Sequence, residues 1–258
     1  MNSDMISLMA TTVLEPARRF ALFGPLHLVI LAATVLTPLG LWAVSRGRPV
    51  LARIICTTLA VGLLLDRLLV VVWAFHLGRI AAWPEALPMH LCDWAVFVVG
   101  AALLHRADVF RFGNGQLVYE LAYFWGLGGT LQAVLTPDTA EDPGSPFFIS
   151  FFLSHCGIIA SVLFLTLRFG LRPARGAVWR AWGWSQFYLL CAGAVNWLAG
   201  TNFGYLARKP RQSSLLDLLG PWPWYLLVLE ALALVLFTLL DLPFWRTRRP
   251  RRAAPPGP

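Results

Sequence analysis

Charge is scarce in this sequence. Only 13% of its 258 residues are Asp, Glu, Lys or Arg, about half the share usual in soluble domains. Lysine is nearly absent, with one Lys beside 20 Arg. Hydrophobic residues make up 58% and the mean hydropathy is +0.65. These values exclude a soluble domain and point to an integral membrane protein. Cysteine is sparse as well: the four are Cys56, Cys92, Cys156 and Cys191, with no CxxC and none in a hydrophilic loop. A secreted disulfide framework therefore has no support. There is no HExxH zinc signature. No positively charged stretch precedes the first apolar run, so that run is expected to be a retained span and not a cleaved signal. The net charge of +8 does not indicate nucleic acid. The arginines sit in short hops between apolar runs, without interleaved stacking aromatics, as they do in membrane loops.

A helix crossing the hydrocarbon needs about 20 apolar residues. Seven runs qualify, at 21–45, 51–77, 88–105, 115–136, 147–169, 178–201 and 221–245. The expected fold is all-α, a polytopic transmembrane bundle of about seven helices. Residues 1–20 form an N-terminal segment, 21–245 the bundle, and 246–258 a basic tail expected to be disordered near anionic lipid. Lys and Arg in the loops divide 14 to 6 between the two sides, with Arg67 inside the second run. The richer side is cytoplasmic by the positive-inside rule, which puts the N-terminus outside and the C-terminus inside. Arg, Ala and Leu dominance suggests a GC-rich bacterial genome and hence a bacterial inner membrane. Pro88 suits the first turn of the third helix. Two small-residue seams, Ala122/Gly126/Thr130 and Ala192/Asn196/Gly200, suit close helix packing. No internal repeat is visible.

Depth along each helix, at about 1.5 Å per residue, sorts the polar groups. His90, Cys92 and Asp93 start the third helix on the outer side, and His155 lies some two turns into the fifth. His27, His76, Gln132, Thr136, Asn196, Thr201, Asn202, Tyr205, Trp222 and Trp224 come to the same face. The inner half offers much less, and His105 there reads as interfacial. Ionisable groups in spans usually face an interior cavity, so this convergence predicts an outward-facing polar pocket. His27, His76 and the Trp pair have a plainer reading as interface residues. Asp66 and Arg67 are adjacent and cannot face each other on a helix, so each needs a partner elsewhere. Glu120 and Glu230 are either structural or part of a proton path.

His90 and Asp93, three apart, share a face, which predicts a hydrogen bond fixing the imidazole tautomer. His90 and Cys92 point apart on a helix, so Cys92 needs a base from another helix. His155 is first by depth and His27 second. Near a helix N-terminus a thiolate is stabilised by free N–H groups. Those groups, with Asn196 or Asn202, could form an oxyanion hole. The set suits acyl transfer from a lipid. The bland alternative is a packed thiol among hydrogen-bonded histidines. A His90, Asp93, His155 metal set is a weaker use of the same residues, and neither a metal nor a cofactor is expected.

The strings "LPMHLCDWAVF", "YFWGLGGTLQAVLTPD", "FFLSHCGIIA", "GTNFGYLARKP" and "SLLDLLGPWPWYLLVLE", in this order, resemble the YwaF-like family of bacterial integral membrane proteins, over about residues 20–245. That family is similar, more distantly, to eukaryotic multi-pass acyltransferases that move polyunsaturated acyl chains onto ether phospholipids. The resemblance implies a Cys and His pair on separate helices, matched here by Cys92 and His155. The androgen-induced-gene-type lipid hydrolases, also related, use Thr and His instead. The resemblance flags Asn202, Tyr205, Arg208 and Lys209 in an outer loop, where the two cations suit a lipid phosphate, and a Pro/Trp lip at Trp222.

The expected function is a thiol-dependent lipid acyltransferase or lipid hydrolase. Cys92 is its nucleophile, His155 its base, with His90 and Asp93 in support. His27, Gln132, Asn196, Asn202, Tyr205, Arg208, Lys209 and Trp222 bind substrate. Membrane lipids are the expected partners, nucleic acid is not, and the oligomeric state is open. The second reading is a transporter or channel using Asp66, Arg67, Glu120 and Glu230, which a broken helix would favour. The third is a membrane protein without chemistry.

Overall fold

The computed structural model describes residues 20–80, 82–137, 139, 141–209 and 215–245. It is an all-α bundle, without strands among the described residues. The helices are α1 (Pro25–Ser45), α2 (Pro49–His76), α3 (Leu91–Arg106), α4 (Gly115–Gly128), α5 (Thr130–Leu135), α6 (Pro146–Phe169), α7 (Ala177–Ala199) and α8 (Trp224–Trp245). Short 3₁₀ turns cover Trp83–Ala86, Phe203–Tyr205 and Leu215–Leu219. α4 and α5 together fill the fourth apolar run, so the bundle has seven spans' worth of helix. Four helices, α1, α2, α6 and α8, are long and apolar enough to cross a membrane by themselves. The segments 1–19 and 246–258, which hold the expected tail, lie outside the described residues.

Local signals set most boundaries. Pro25, Pro49 and Pro146 stand in the first turns of α1, α2 and α6, where a missing N–H costs nothing. The Asn114 side chain accepts from Leu117 N–H at 3.0 Å and Ser145 Oγ from Phe147 N–H at 3.2 Å, capping α4 and α6. α3 begins later than the sequence predicts. The Asp93 carboxylate accepts from the His90 backbone N–H at 3.0 Å, a capping box that makes His90 the N-cap. Pro88 therefore precedes the helix.

α6 is the centre. In its most apolar stretch 56% of residues are buried, against 17% in α1, α2 and α8, and α1 to α5 all pack on it. The outer helices turn Val29, Leu36, Leu69, Leu227 and Val235 outward, as lipid-facing surfaces do. The seam at Ala122, Gly126 and Thr130 is buried. A Cβ on Gly126 would lie 2.9 Å from Val162, 3.1 Å from Ile158 and 3.6 Å from Val99. Three helices thus meet where one side chain is missing.

The bundle's two ends are distinct. Arg168 Nε donates to the Ser45 carbonyl at 3.1 Å, Arg53 pairs with Asp108 at 2.8 Å, and Arg106 lies over the Phe169 ring. The arginine-bearing ends of α1, α2, α3 and α6 therefore share one end, and α3 and α6 run parallel.

The fourth run is interrupted at Gly129, between α4 and α5. The break is shallow: Gly129 stays near helical dihedrals and its N–H still bonds Trp125 O at 3.1 Å. Thr130 Oγ1 donates to the Gly126 carbonyl, which competes with the helix ladder and bends it.

Filling the Gly126 gap is expected to overpack the bundle. Gly126→Leu should lose about 1–3 kcal/mol, read as a lower midpoint in thermal unfolding in detergent. Gly40→Ala, inside α1 with open space around its Cβ, should not lower the midpoint.

Candidate functional site

The arginine-poor end of the bundle gathers the polar groups. Asp93 is buried on α3, 3% exposed, and its Oδ1 lies 3.1 Å from Arg67 Nε on α2. Asp66 accepts from Ser150 Oγ on α6 at 2.9 Å. Each of the adjacent pair Asp66–Arg67 has thus found a separate partner on a separate helix, as a charge in a span must. Asp93 also lies within electrostatic range of Cys92 and His155. A thiolate beside Asp93 would be repelled, and the Arg67 guanidinium offsets that repulsion.

His90 does something different from what its spacing suggests. Asp93 holds the His90 backbone N–H, not its ring. The reason is that His90 is outside the helix, at φ −75°, ψ 152°, so the i,i+3 side-chain geometry does not apply. Its ring Nδ1 accepts from Gly204 N–H at 3.4 Å and packs edge-on against Phe203. His90 therefore ties α3 to the loop after α7. Tyr188 on α7 adds a second tie, its hydroxyl donating to the Met89 carbonyl at 3.2 Å.

His155 on α6 is buried. Its Nδ1 lies 2.6 Å from the Phe151 carbonyl. A carbonyl only accepts, so Nδ1 carries the proton and Nε2 holds the lone pair, the tautomer a general base requires. Cys92 is half-buried and free. Val99 of α3 and Val162 of α6 meet at Gly126. Cys92 precedes Val99 by seven residues, and His155 precedes Val162 by seven. Along its own helix each is therefore two turns, about 10 Å, from that contact. Asp93 acts electrostatically on both side chains, Cys92 also lies in range of Tyr188 on α7, and among the described residues no hydrogen bond joins Cys92 to His155.

The remaining predicted residues divide. His27 is fully buried. It accepts from Phe23 N–H at 2.9 Å and donates through Nε2 to the Val134 carbonyl at 2.8 Å, stapling α1 to α5. Asn196 accepts from Phe203 N–H at 2.7 Å and donates to the Phe203 carbonyl at 2.9 Å. Asn202 accepts from Ala207 and Arg208 N–H and donates to the Arg208 carbonyl. Both amides are committed to folding the loop 200–209, so neither is a spare oxyanion donor. Tyr205 has φ +54°, and its carbonyl accepts from the Tyr225 hydroxyl. Trp222 is 59% exposed and donates to the Leu206 carbonyl at 3.0 Å. Lys209 lies 3.9 Å from Asp217 and over the Tyr225 ring. Arg208, Gln132 and His76 are exposed. The weighed metal set does not form: among the described residues, no three His, Cys, Asp or Glu side chains converge.

A model of the TMEM164 family matches residues 22–241. The chain belongs to the TMEM164 family. The five strings that suggested the YwaF-like family all lie inside that match, so the resemblance is corrected: they are TMEM164 family sequence. No curated protein matches the chain, and no solved structure does. TMEM164 membership and the apolar helices together make this an integral membrane protein.

Two features favoured by the transporter reading have structural roles. Glu120 is fully buried and accepts from Arg180 Nε at 2.8 Å and Nη2 at 2.9 Å, and from Gln116 and Ala174 N–H, both at 2.9 Å. It locks α4 to α7 at the arginine-rich end. The interruption of the fourth run is the shallow one at Gly129. Sequence reasoning also missed Tyr188, which lacks any motif, and the arginine-rich end, where His105 Nδ1 accepts from Phe112 N–H at 3.1 Å and so holds the loop between α3 and α4.

Outside the spans, Arg79 pairs with Glu141, and this hydrogen-bonded guanidinium holds the Glu141 carboxyl below its ordinary value near 4.5. A lowered carboxyl adds stability that is complete above the unfolded value and is lost as pH falls through the folded one. Arg79→Gln is expected to move the Glu141 titration up towards the ordinary value in ¹³C NMR. For the buried pair, Arg67→Met alone strands the Asp93 charge and should cost about 3 kcal/mol. The double variant Arg67→Met/Asp93→Asn should unfold at higher temperature than the single one.

Proposed function

We propose that this membrane protein is a thiol-dependent enzyme acting on lipid esters, an acyltransferase or lipid hydrolase, with Cys92 as nucleophile and His155 as base. What supports the reading is a free Cys92 at the start of α3 and a buried His155 on α6, both within electrostatic range of the buried Asp93. Cys92 Sγ attacks the ester carbonyl of a lipid while its proton passes to His155 Nε2. The tetrahedral intermediate collapses to a thioester on Cys92, and His155 returns the proton to the leaving alkoxide. An acceptor hydroxyl or water, deprotonated by the same imidazole, then attacks the thioester and frees the thiolate, which takes the proton back. Free N–H groups in the first turn of α3 are the nearest stabilisers for the oxyanion.

Arg67 and Asp93 position this pair and do not react. The ion pair fixes the start of α3 against α2 and holds compensating charge beside the thiol. His90 holds the loop 200–209 against the start of α3, near Tyr205, and Tyr205 and Trp222 are the proposed substrate-facing residues. The Arg-, Ala- and Leu-rich composition favours a bacterial inner membrane, and the arginine asymmetry puts the N-terminus outside, so the Cys92 end of the bundle faces the outer leaflet.

An acyl-mimetic activity-based probe tests the proposal. The parent should be labelled. Cys92→Ala should lose labelling entirely, and His155→Gln should lose it by about 10²-fold or more, the contribution typical of a general base. Cys156→Ala should be labelled like the parent. Equal labelling of parent and Cys92→Ala would end this reading.

A further inference from the structure

The arginine-rich end contains a cavity of about 380 Å³, within the usual range of small-molecule sites, roughly 300–1,000 Å³. Arg53, Arg106, Arg111 and Arg168 line it, and Asp108 is the one carboxylate among its lining residues. Asp108 is already engaged twice, by Arg53 at 2.8 Å and Arg111 at 3.0 Å. Arg106 and Arg168 have no carboxylate among the described residues. Arg168 donates to the neutral Ser45 carbonyl. Arg106 rests over the Phe169 ring at 4.6 Å, and its Nε is buried without a hydrogen-bond partner.

Positive-inside bias explains arginines at this end but not their convergence. Charges that only orient a chain stand singly in water. Here four guanidinium groups from α2, α3, α6 and the loop after α3 surround one hollow with one carboxylate between them. Arg53 and Arg111 are exposed and screened by water, but the buried Arg106 Nε lacks an acceptor, which an anion in the hollow would supply. Guanidinium groups match phosphate oxygens in planar, two-point geometry.

We propose that this cavity binds a phosphate-bearing group. Arg106 and Arg168 make the direct contacts, and the Arg53–Asp108–Arg111 chain is a preformed rim. The phosphate belongs either to a phospholipid of the adjoining leaflet or to a soluble molecule. The site lies at the opposite end of α3 and α6 from Cys92 and His155 and stands independently of the enzymatic reading.

Calorimetry and thermal unfolding of the full chain in neutral detergent test this, with dioctanoyl phosphatidate, glycerol 3-phosphate and, as a phosphate-free control, dioctanoylglycerol. Phosphatidate should bind saturably and raise Tm, and dioctanoylglycerol should not. The double variant Arg106→Gln/Arg168→Gln should weaken binding by about tenfold or more, the loss expected for charged hydrogen bonds. Arg175→Gln, an exposed arginine at the same end, should bind like the parent. Arg106→Lys keeps the charge and loses the planar fork, so it too should bind more weakly, and it decides the matter if the double variant does not fold. Comparable binding of glycerol 3-phosphate identifies a soluble ligand, and binding of phosphatidate alone identifies a lipid; both support the site. No saturable binding of either phosphate probe, or equal binding by the parent and the Arg106 variants, overturns it.

Discussion

Gly126 offers no side chain, and α6 sits in the middle of the bundle because of it. Val99, Ile158 and Val162 close on that point from two helices. In lipid there is little hydrophobic gain from bringing helices together, so close van der Waals approach has to do the work. Everything at the polar end follows from this contact. The Gly126 contact sets α3 and α6 side by side and parallel.

The same contact forces the charged groups to be satisfied locally. α2 runs against both helices, and its Asp66 and Arg67 point to different neighbours, Ser150 and Asp93. An unpaired carboxylate inside a span would be costly, so these pairings fix the rotation of α2 more firmly than its nearly uniform leucines and valines can. At the other end Glu120, with four donors from α4, α7 and the segment between α6 and α7, plays the equivalent part. The bundle is pinned by one polar knot at each end and by small residues between them.

Much of this was legible in the chain. Seven apolar runs and the grouping of arginines at one end needed only composition and spacing, because the bilayer imposes both span length and backbone satisfaction. The need of Asp66 and Arg67 for separate partners followed from helix geometry alone. The pairing of Cys92 with His155 was suggested by depth. The family was not: the strings fitted a neighbouring description, and the TMEM164 match corrected it.

What the sequence determined by itself is an all-α membrane protein with polar groups gathered towards one end, since hydropathy and periodicity are one-dimensional properties. Only the tertiary structure decided what those groups touch. His90 left the helix because Asp93 captured its backbone N–H, Asn196 and Asn202 became loop braces, and His27 became a staple between α1 and α5. The arginines of four segments closed around a hollow that no spacing rule foretells. Partner choice depends on the rotation and tilt of each helix, and these are set by packing between residues far apart in the chain.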